Sequence, residues 1–215
     1  MNSNLPTTFE TMKDSHGNEF YVVDNALIQW TNFSGTETPY NRKGKRNFEW
    51  VIPDPELAQQ LAGLGFNVKH HSVREDFDGE EYDHMKIEIS YETNDGRPIG
   101  DINKEWVPEV YLVDDDDYYT LLTEDSIGEL DSKIITYTLF EFRPYNWTYN
   151  KKTGMSAKLK RIFLRVKQDP IMGRFKGNTA VRPNDYSVQR TQDLQERIKF
   201  SNQTPGGDDL PFEIP

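Results

Sequence analysis

The chain has 215 residues and a mass of 25.1 kDa, enough for one or two domains with a sizeable core. It carries 36 acidic and 25 basic residues for a net charge of −11, is only 35% hydrophobic, and has a mean hydropathy of −0.82. No apolar run approaches the ~20 residues that span a bilayer, and the absence of cysteine excludes disulfides, thiol nucleophiles and Cys-based zinc sites.

The first residues, Met1 to Pro6, offer neither a basic nor an apolar leader region, which predicts a cytoplasmic protein. The three N-x-[ST] sequons at Asn32, Asn146 and Asn202 are then chance matches. The total charge hides a strong asymmetry: −17 over residues 75–131, against +3 over 32–48 and +7 over 141–167. Exposed charges are screened beyond a Debye length of ~8 Å in physiological salt. A basic groove can therefore exist on an acidic chain.

Residues 1–18 are polar and read as a flexible N-terminus. Tyr21 to Phe33 reads as a strand with Ala26, Ile28 and Trp30 on one parity and Leu27 opposite, ending at Ser34-Gly35. A loop from Thr36 to Lys45 leads to a strand at Asn47–Ile52. Asp54-Pro55 then supplies an N-cap and an N1 proline for a short amphipathic helix through Leu57, Leu61 and Leu64, which Gly65 terminates. His70-His71 lies in a strand, where neighbours face opposite ways. Met85, Ile87, Ile89 and Tyr91 alternate with polar residues as in a half-buried strand.

Val107–Val113, Ile134–Trp147 and Ser156–Val166 are further strands, with a short helical turn near Glu124–Leu130. Six or seven strands, one or two short helices and no βαβ rhythm predict a mainly β domain over 19–170. The expected architecture is a five-stranded or elaborated barrel of the OB type, although the pattern alone equally allows a sandwich. Beyond Asp169-Pro170 large apolar residues thin out, and 171–215 reads as a disordered tail with room for a transient helix around Gln192–Lys199.

The densest chemical signal runs from Arg143 to Gly154. Strand parity sets Arg143, Tyr145, Trp147 and Tyr149 on one face, with Phe140 and Phe142 on the core side. Asn150 to Gly154, carrying Lys151 and Lys152, reads as a hairpin loop whose glycine takes the positive φ. On the returning strand Ala157 and Leu159 share one parity, and Ile162, Leu164 and Val166 the other. A one-residue bulge near Lys160-Arg161 reconciles them. The opposite face then presents Lys158, Lys160 and Arg161, Phe163, Arg165 and Lys167. Rings interleaved with cations suit single-stranded nucleic acid, since cations neutralise phosphates and each base stacks for roughly 1–3 kcal/mol. A second basic block, Arg42, Lys43, Lys45 and Arg46 between Tyr40 and Phe48, has the same composition on a loop.

Asn32-Phe33-Ser34-Gly35, Tyr40-Asn41, Arg46-Asn47-Phe48, Arg143-Pro144-Tyr145-Asn146-Trp147, Gly154 and Ala157-Lys158-Leu159-Lys160 together resemble bacteriophage single-stranded DNA-binding proteins with an OB fold. The resemblance spans about residues 20–170. It implies sequence-independent ssDNA binding in phage replication, recombination and repair, without catalysis or cofactor, in the cytoplasm of a bacterial host. It also leaves room for self-association on DNA. Phe33 joins the nucleic-acid-binding set through it.

Near the C-terminus, Asp208-Asp209-Leu210-Pro211-Phe212 is similar to the acidic tip by which bacterial single-stranded DNA-binding proteins recruit replication and recombination partners. Three residues follow Phe212 here, so the terminal carboxylate is displaced, and a phage partner or an intramolecular role stays open. Two other functions remain as alternatives. One is a metal-dependent nuclease using Asp114, Asp115, Asp116 and Asp117, though consecutive strand residues face opposite ways and suit one metal poorly. The other is an acidic protein that targets a basic host partner.

Overall fold

The computed structural model describes residues 6–72, 80–93, 95–114 and 118–167, with the Tyr149 side chain outside that description. The tail expected over 171–215, with its tip Asp208 to Phe212, lies outside the described residues, as do Asp115, Asp116 and Asp117. The elements in chain order are β1 (Thr8–Lys13), β2 (Glu19–Asp24), β3 (Leu27–Asn32), β4 (Arg46–Ile52), α1 (Pro55–Gly63), β5 (Val68–His71) and β6 (Tyr82–Ile89). Then come α2 (Ile99–Ile102), β7 (Glu109–Val113), β8 (Tyr119–Leu122), β9 (Ile135–Tyr149) and β10 (Lys152–Val166). Two 3₁₀ turns, Lys104–Trp106 and Ile127–Ser132, complete the described residues. The protein is mainly β with short helices, as its sequence pattern predicts.

Pairing runs from β2 to β9, β9 to β10, β10 to β6, β6 to β4 and β4 to β3. Every step is antiparallel except β10 with β6, where Ala157 and Lys158 lie parallel to Ile87 and Glu88. The hydrogen-bonded order is open, yet β2 and β3 are consecutive in the chain, separated only by Asn25 and Ala26. Asn25 takes φ 50° there, and the Ala26 N–H donates to the Thr138 carbonyl on β9 at 2.9 Å. One bent segment thus borders both ends of the path, and five chain segments surround a common core. β1 extends β2, β5 extends β6, and β7 with β8 lies along the second half of β10. The polar N-terminal residues expected to be flexible therefore include a paired strand, β1.

Aromatic rings fill the interior. Phe48 and Trp50 from β4 meet Phe140 edge-on at centroid distances of 5.3 and 5.7 Å, and Tyr21 and Phe66 pack on Phe142 at 5.1 and 5.6 Å. Such pairs add about 0.5–1.5 kcal/mol each beyond burial. α1 begins as its sequence predicts, with the Asp54 carboxylate accepting the Glu56 N–H at 2.9 Å. It buries Leu61 but leaves Leu64 half exposed at the cap.

One parity departs from expectation, and one face expected to be open is covered. The register between β3 and β4 shifts between Gln29 and Asn32, and Trp30 sits at φ 45° with 51% of its surface exposed. This irregularity turns the indole away from the side that Ile28 faces. In β10 the register shifts between Leu159 and Arg161, so Lys160 is the extra residue of the expected bulge, and Ala157, Leu159, Ile162 and Leu164 all reach the core. Phe163, expected on an open cationic face, is instead covered. β7 pairs with β10 over 161–165, and the Tyr111 ring stacks on Phe163 at 4.8 Å. Phe163→Ala is expected to lower the unfolding free energy by about 3–5 kcal/mol in urea titrations, as loss of a buried ring does.

Candidate nucleic-acid interface

The β9–β10 hairpin closes more tightly than its sequence suggests. Tyr149 pairs with Lys152, leaving a two-residue turn in which Asn150 and Lys151 take φ 47° and 64°. That is the left-handed pair a type I′ turn needs, and it matches the right-handed twist of the strands. Gly154 is therefore not the turn residue. It lies within β10 opposite Trp147, and a Cβ there would overlap the indole. The glycine is the flat bed on which Trp147 lies, with 38% of the tryptophan exposed.

Two residues back on the same face is Tyr145, 48% exposed, with the Lys158 ammonium 5.4 Å from its ring centroid. Arg143 follows, its guanidinium 5.3 Å from the Trp106 ring and donating to the Trp106 carbonyl at 2.8 Å. Burial pulls its pKa below the usual arginine value, without approaching neutrality. Trp106, half exposed, thereby joins Tyr145 and Trp147 on one ring-bearing surface. It is a ring that strand parity could not supply, because it sits on a 3₁₀ turn.

The loop between β3 and β4 is pinched at its neck. The Gly44 N–H donates to the Gly35 carbonyl at 2.8 Å, and Gly35 at φ 68° passes so close to Gly44 that a Cβ would lie 3.2 Å from its backbone. Asp131 clamps the start of the loop, its two carboxylate oxygens accepting the Phe33 and Ser34 N–H groups at 2.8 and 2.9 Å. Inside the pinch, Asn41 Oδ1 accepts from Asn47 Nδ2 at 2.8 Å and Lys86 Nζ at 3.3 Å, fastening the loop to the outer face of β4 and β6. Tyr40 stands 90% exposed at its tip. Arg42, Lys43 and Lys45 are exposed, and no carboxylate pairs with them among the described residues.

Not every expected site residue is available. Phe33 and Phe48 are fully buried in the core, so they cannot stack on a base, and Phe163 is covered as described. Arg46 is turned back into the fold, paired with Glu124 at 2.7 Å and lying 5.6 Å from the Tyr91 ring. Burial beside it pushes the Tyr91 hydroxyl up to about 12. On β10, Lys158 pairs with Glu88, while Lys160 lies 3.2 Å from Glu141. Arg161 bridges Glu109 at 2.6 Å and Glu141 at 3.8 Å. Lys160 and Arg161 therefore act as cross-links between strands, and Arg165 is half-buried opposite Tyr137. The exposed cations left on the two basic segments are those of the loop together with Lys151 and Lys152 at the hairpin tip and Lys167 just after β10.

Parity also left one group of rings unseen. Trp30 lies 5.2 Å from His84, 6.1 Å from Tyr82 and 5.9 Å from His71, and His71 stacks on Tyr82 at 4.8 Å. Asp131→Ala should free the neck of the basic loop. Limited trypsin digestion should then cut after Arg42, Lys43 or Lys45 several-fold faster than in the parent, with the melting temperature moving by only a few degrees.

Among solved structures, a C-terminally truncated single-stranded DNA-binding protein from bacteriophage Enc34 aligns with a TM-score of 0.44 and 12% identity, over 78% of this chain and 99% of that one. The Enc34 protein in complex with ssDNA aligns at 0.44 and 13%, over 70% and 88% of the two chains. Gp2.5, a single-stranded DNA-binding protein encoded by bacteriophage T7, aligns at 0.32 and 9%, over 84% and 100%. No curated protein matches the sequence. The family described as "Putative phage ssDNA-binding domain" matches residues 12–198, most of the chain, and the protein belongs to that family.

Proposed function

We propose that the protein binds single-stranded DNA without sequence preference, through the exposed rings of Tyr145 and Trp147 and the cations of the pinched loop and hairpin tip. The observation that carries this reading is Trp147 lying flat on Gly154 at the edge of a face that also holds Tyr145, with Lys151 and Lys152 beyond it. A folding chain gains nothing by leaving two large rings half in water. An unpaired base gains roughly 1–3 kcal/mol by stacking on each.

The strand circuit supports an OB-type barrel. Taken in chain order, the bent β2–β3 segment, β4, β6, β9 and β10 pair as first with second, second with third, third with fifth in parallel, fifth with fourth and fourth with first. In such barrels oligonucleotides meet the outer face of the second and third strands and the loops after the first and fourth. Here those loops are the basic loop and the β9–β10 turn. The membership in a DNA-binding family points the same way and includes no reaction.

Its service in phage replication, recombination and repair, in the cytoplasm of a bacterial host, is part of the same proposal. So is recruitment of a partner protein by Asp208, Asp209, Leu210, Pro211 and Phe212, for which the support is their acidic and apolar sequence. Self-association on DNA belongs to the proposal as well.

Titrating oligo-dT at several salt concentrations should give a log–log slope of about −3 to −4, from roughly five cations of the loop and hairpin tip at about 0.7 each. A slope near zero removes the electrostatic half of the reading. Trp147→Ala should weaken oligo-dT binding about 5- to 100-fold, and Gly154→Ala, which displaces the indole from its bed, should lose a comparable amount with the fold intact. If both variants bind like the parent, the rings do not stack on DNA.

A further inference from the structure

The Trp30 irregularity takes a large ring out of the core and leaves it half exposed. A tryptophan at φ 45° occupies backbone space that favours glycine, and the conformation leaves half of a large apolar side chain in water. Had β3 kept its alternation, the indole would share the side of Ile28, which packs against the core. Strain that persists at an exposed ring points from the observed outlier to a use.

The surroundings say what kind of use. Cross-strand partners share a face, so Lys69 opposite His84 and His71 opposite Tyr82 present those four side chains together. The Tyr82 hydroxyl donates to Gln29 Oε1 at 3.2 Å, which holds the Tyr82 ring beside Trp30. The nearby Glu49 carboxylate is already taken up, 3.0 Å from His84 Nδ1 and 4.0 Å from Lys86 Nζ. The result is a set of planar rings, half exposed, with a lysine beside it.

This surface is continuous with the one assigned to DNA. His84, Lys86 and Glu88 alternate on the outer face of β6, and Glu88 pairs with Lys158, whose ammonium lies over Tyr145. Four residues of strand separate His84 from Glu88, about 13 Å. Between them Lys86 holds Asn41 of the basic loop. A chain of nucleotides leaving Tyr145 can pass beside the loop at that point and meet a second set of rings.

We propose that Trp30, with His71 and Tyr82, is a second nucleobase-stacking subsite, engaged by the same DNA strand that occupies Tyr145 and Trp147. The proposal rests on the ssDNA reading above and adds a site to it. Trp30→Gly is the informative variant, because glycine accepts φ 45° and the ring alone is removed.

In anisotropy titrations at fixed salt, Trp30→Gly should bind a 15-nucleotide oligo-dT about tenfold more weakly than the parent. Trp30→Phe should recover most of that loss. The salt slope should not change, and a 15-unit abasic deoxyribose-phosphate strand should bind parent and variant alike. His71→Ala, at an exposed position, should also weaken oligo-dT binding and serves if Trp30→Gly does not fold. Unchanged oligo-dT affinity in Trp30→Gly, alongside a loss in Trp147→Ala, overturns this subsite and leaves the ssDNA reading standing. A parent protein that binds no oligo-dT removes both.

Discussion

The extra residue at Lys160 lets one strand serve two neighbours. Before it, β10 lies parallel to β6 and sends Ala157 and Leu159 inward. After it, β10 lies along β7 and sends Ile162 and Leu164 inward. Without the shift every side chain of the second half would change face, and the core would lose a row of aliphatic residues to solvent. The bulge also places Lys160 and Arg161 together against Glu141, a charge buried on β9. An isolated carboxylate there would be costly, and two cations with Glu109 beyond them make it tolerable. The pairing of β10 with β7, and with it the covered Phe163, follows from that single inserted residue.

Charge does two separate jobs in this chain. Within the acidic block, Glu88, Glu109, Glu124 and Asp131 hold Lys158, Arg161, Arg46 and the neck of the basic loop in place. The −17 over residues 75–131 is thus partly scaffold for the basic segments. Among the described residues, the exposed cations of the two basic segments that no carboxylate pairs with are Arg42, Lys43 and Lys45 on the loop, Lys151 and Lys152 on the hairpin, and Lys167 just after β10. A basic site on a protein of net charge −11 needs only that its cations project past the carboxylates that position their backbone.

Legibility differed by the kind of signal. Asp54-Pro55 marked the start of α1 because a cap is a contact between near neighbours in sequence. The bulge near Lys160 was readable because two runs of apolar residues in opposite parity admit little else. Phe140 and Phe142 were readable as core for the same reason. β1 and β8 escaped notice because they are short strands paired at the margin, β1 mostly polar and β8 only four residues long.

Sequence by itself determined the mainly β character, the position of the helix and the bulge, and which side chains share a face along β6, β9 and β10. These depend on local alternation and on contacts a few residues apart. Only the tertiary structure decided which face is covered. Phe33, Phe48 and Phe163 fit a stacking face as well as Tyr145 and Trp147 do, until β7, the core and the loop neck close over them. Trp30 fits the core until a shift in pairing turns it out. Covering a face requires segments distant in the chain, and parity along a strand contains no information about what arrives from elsewhere.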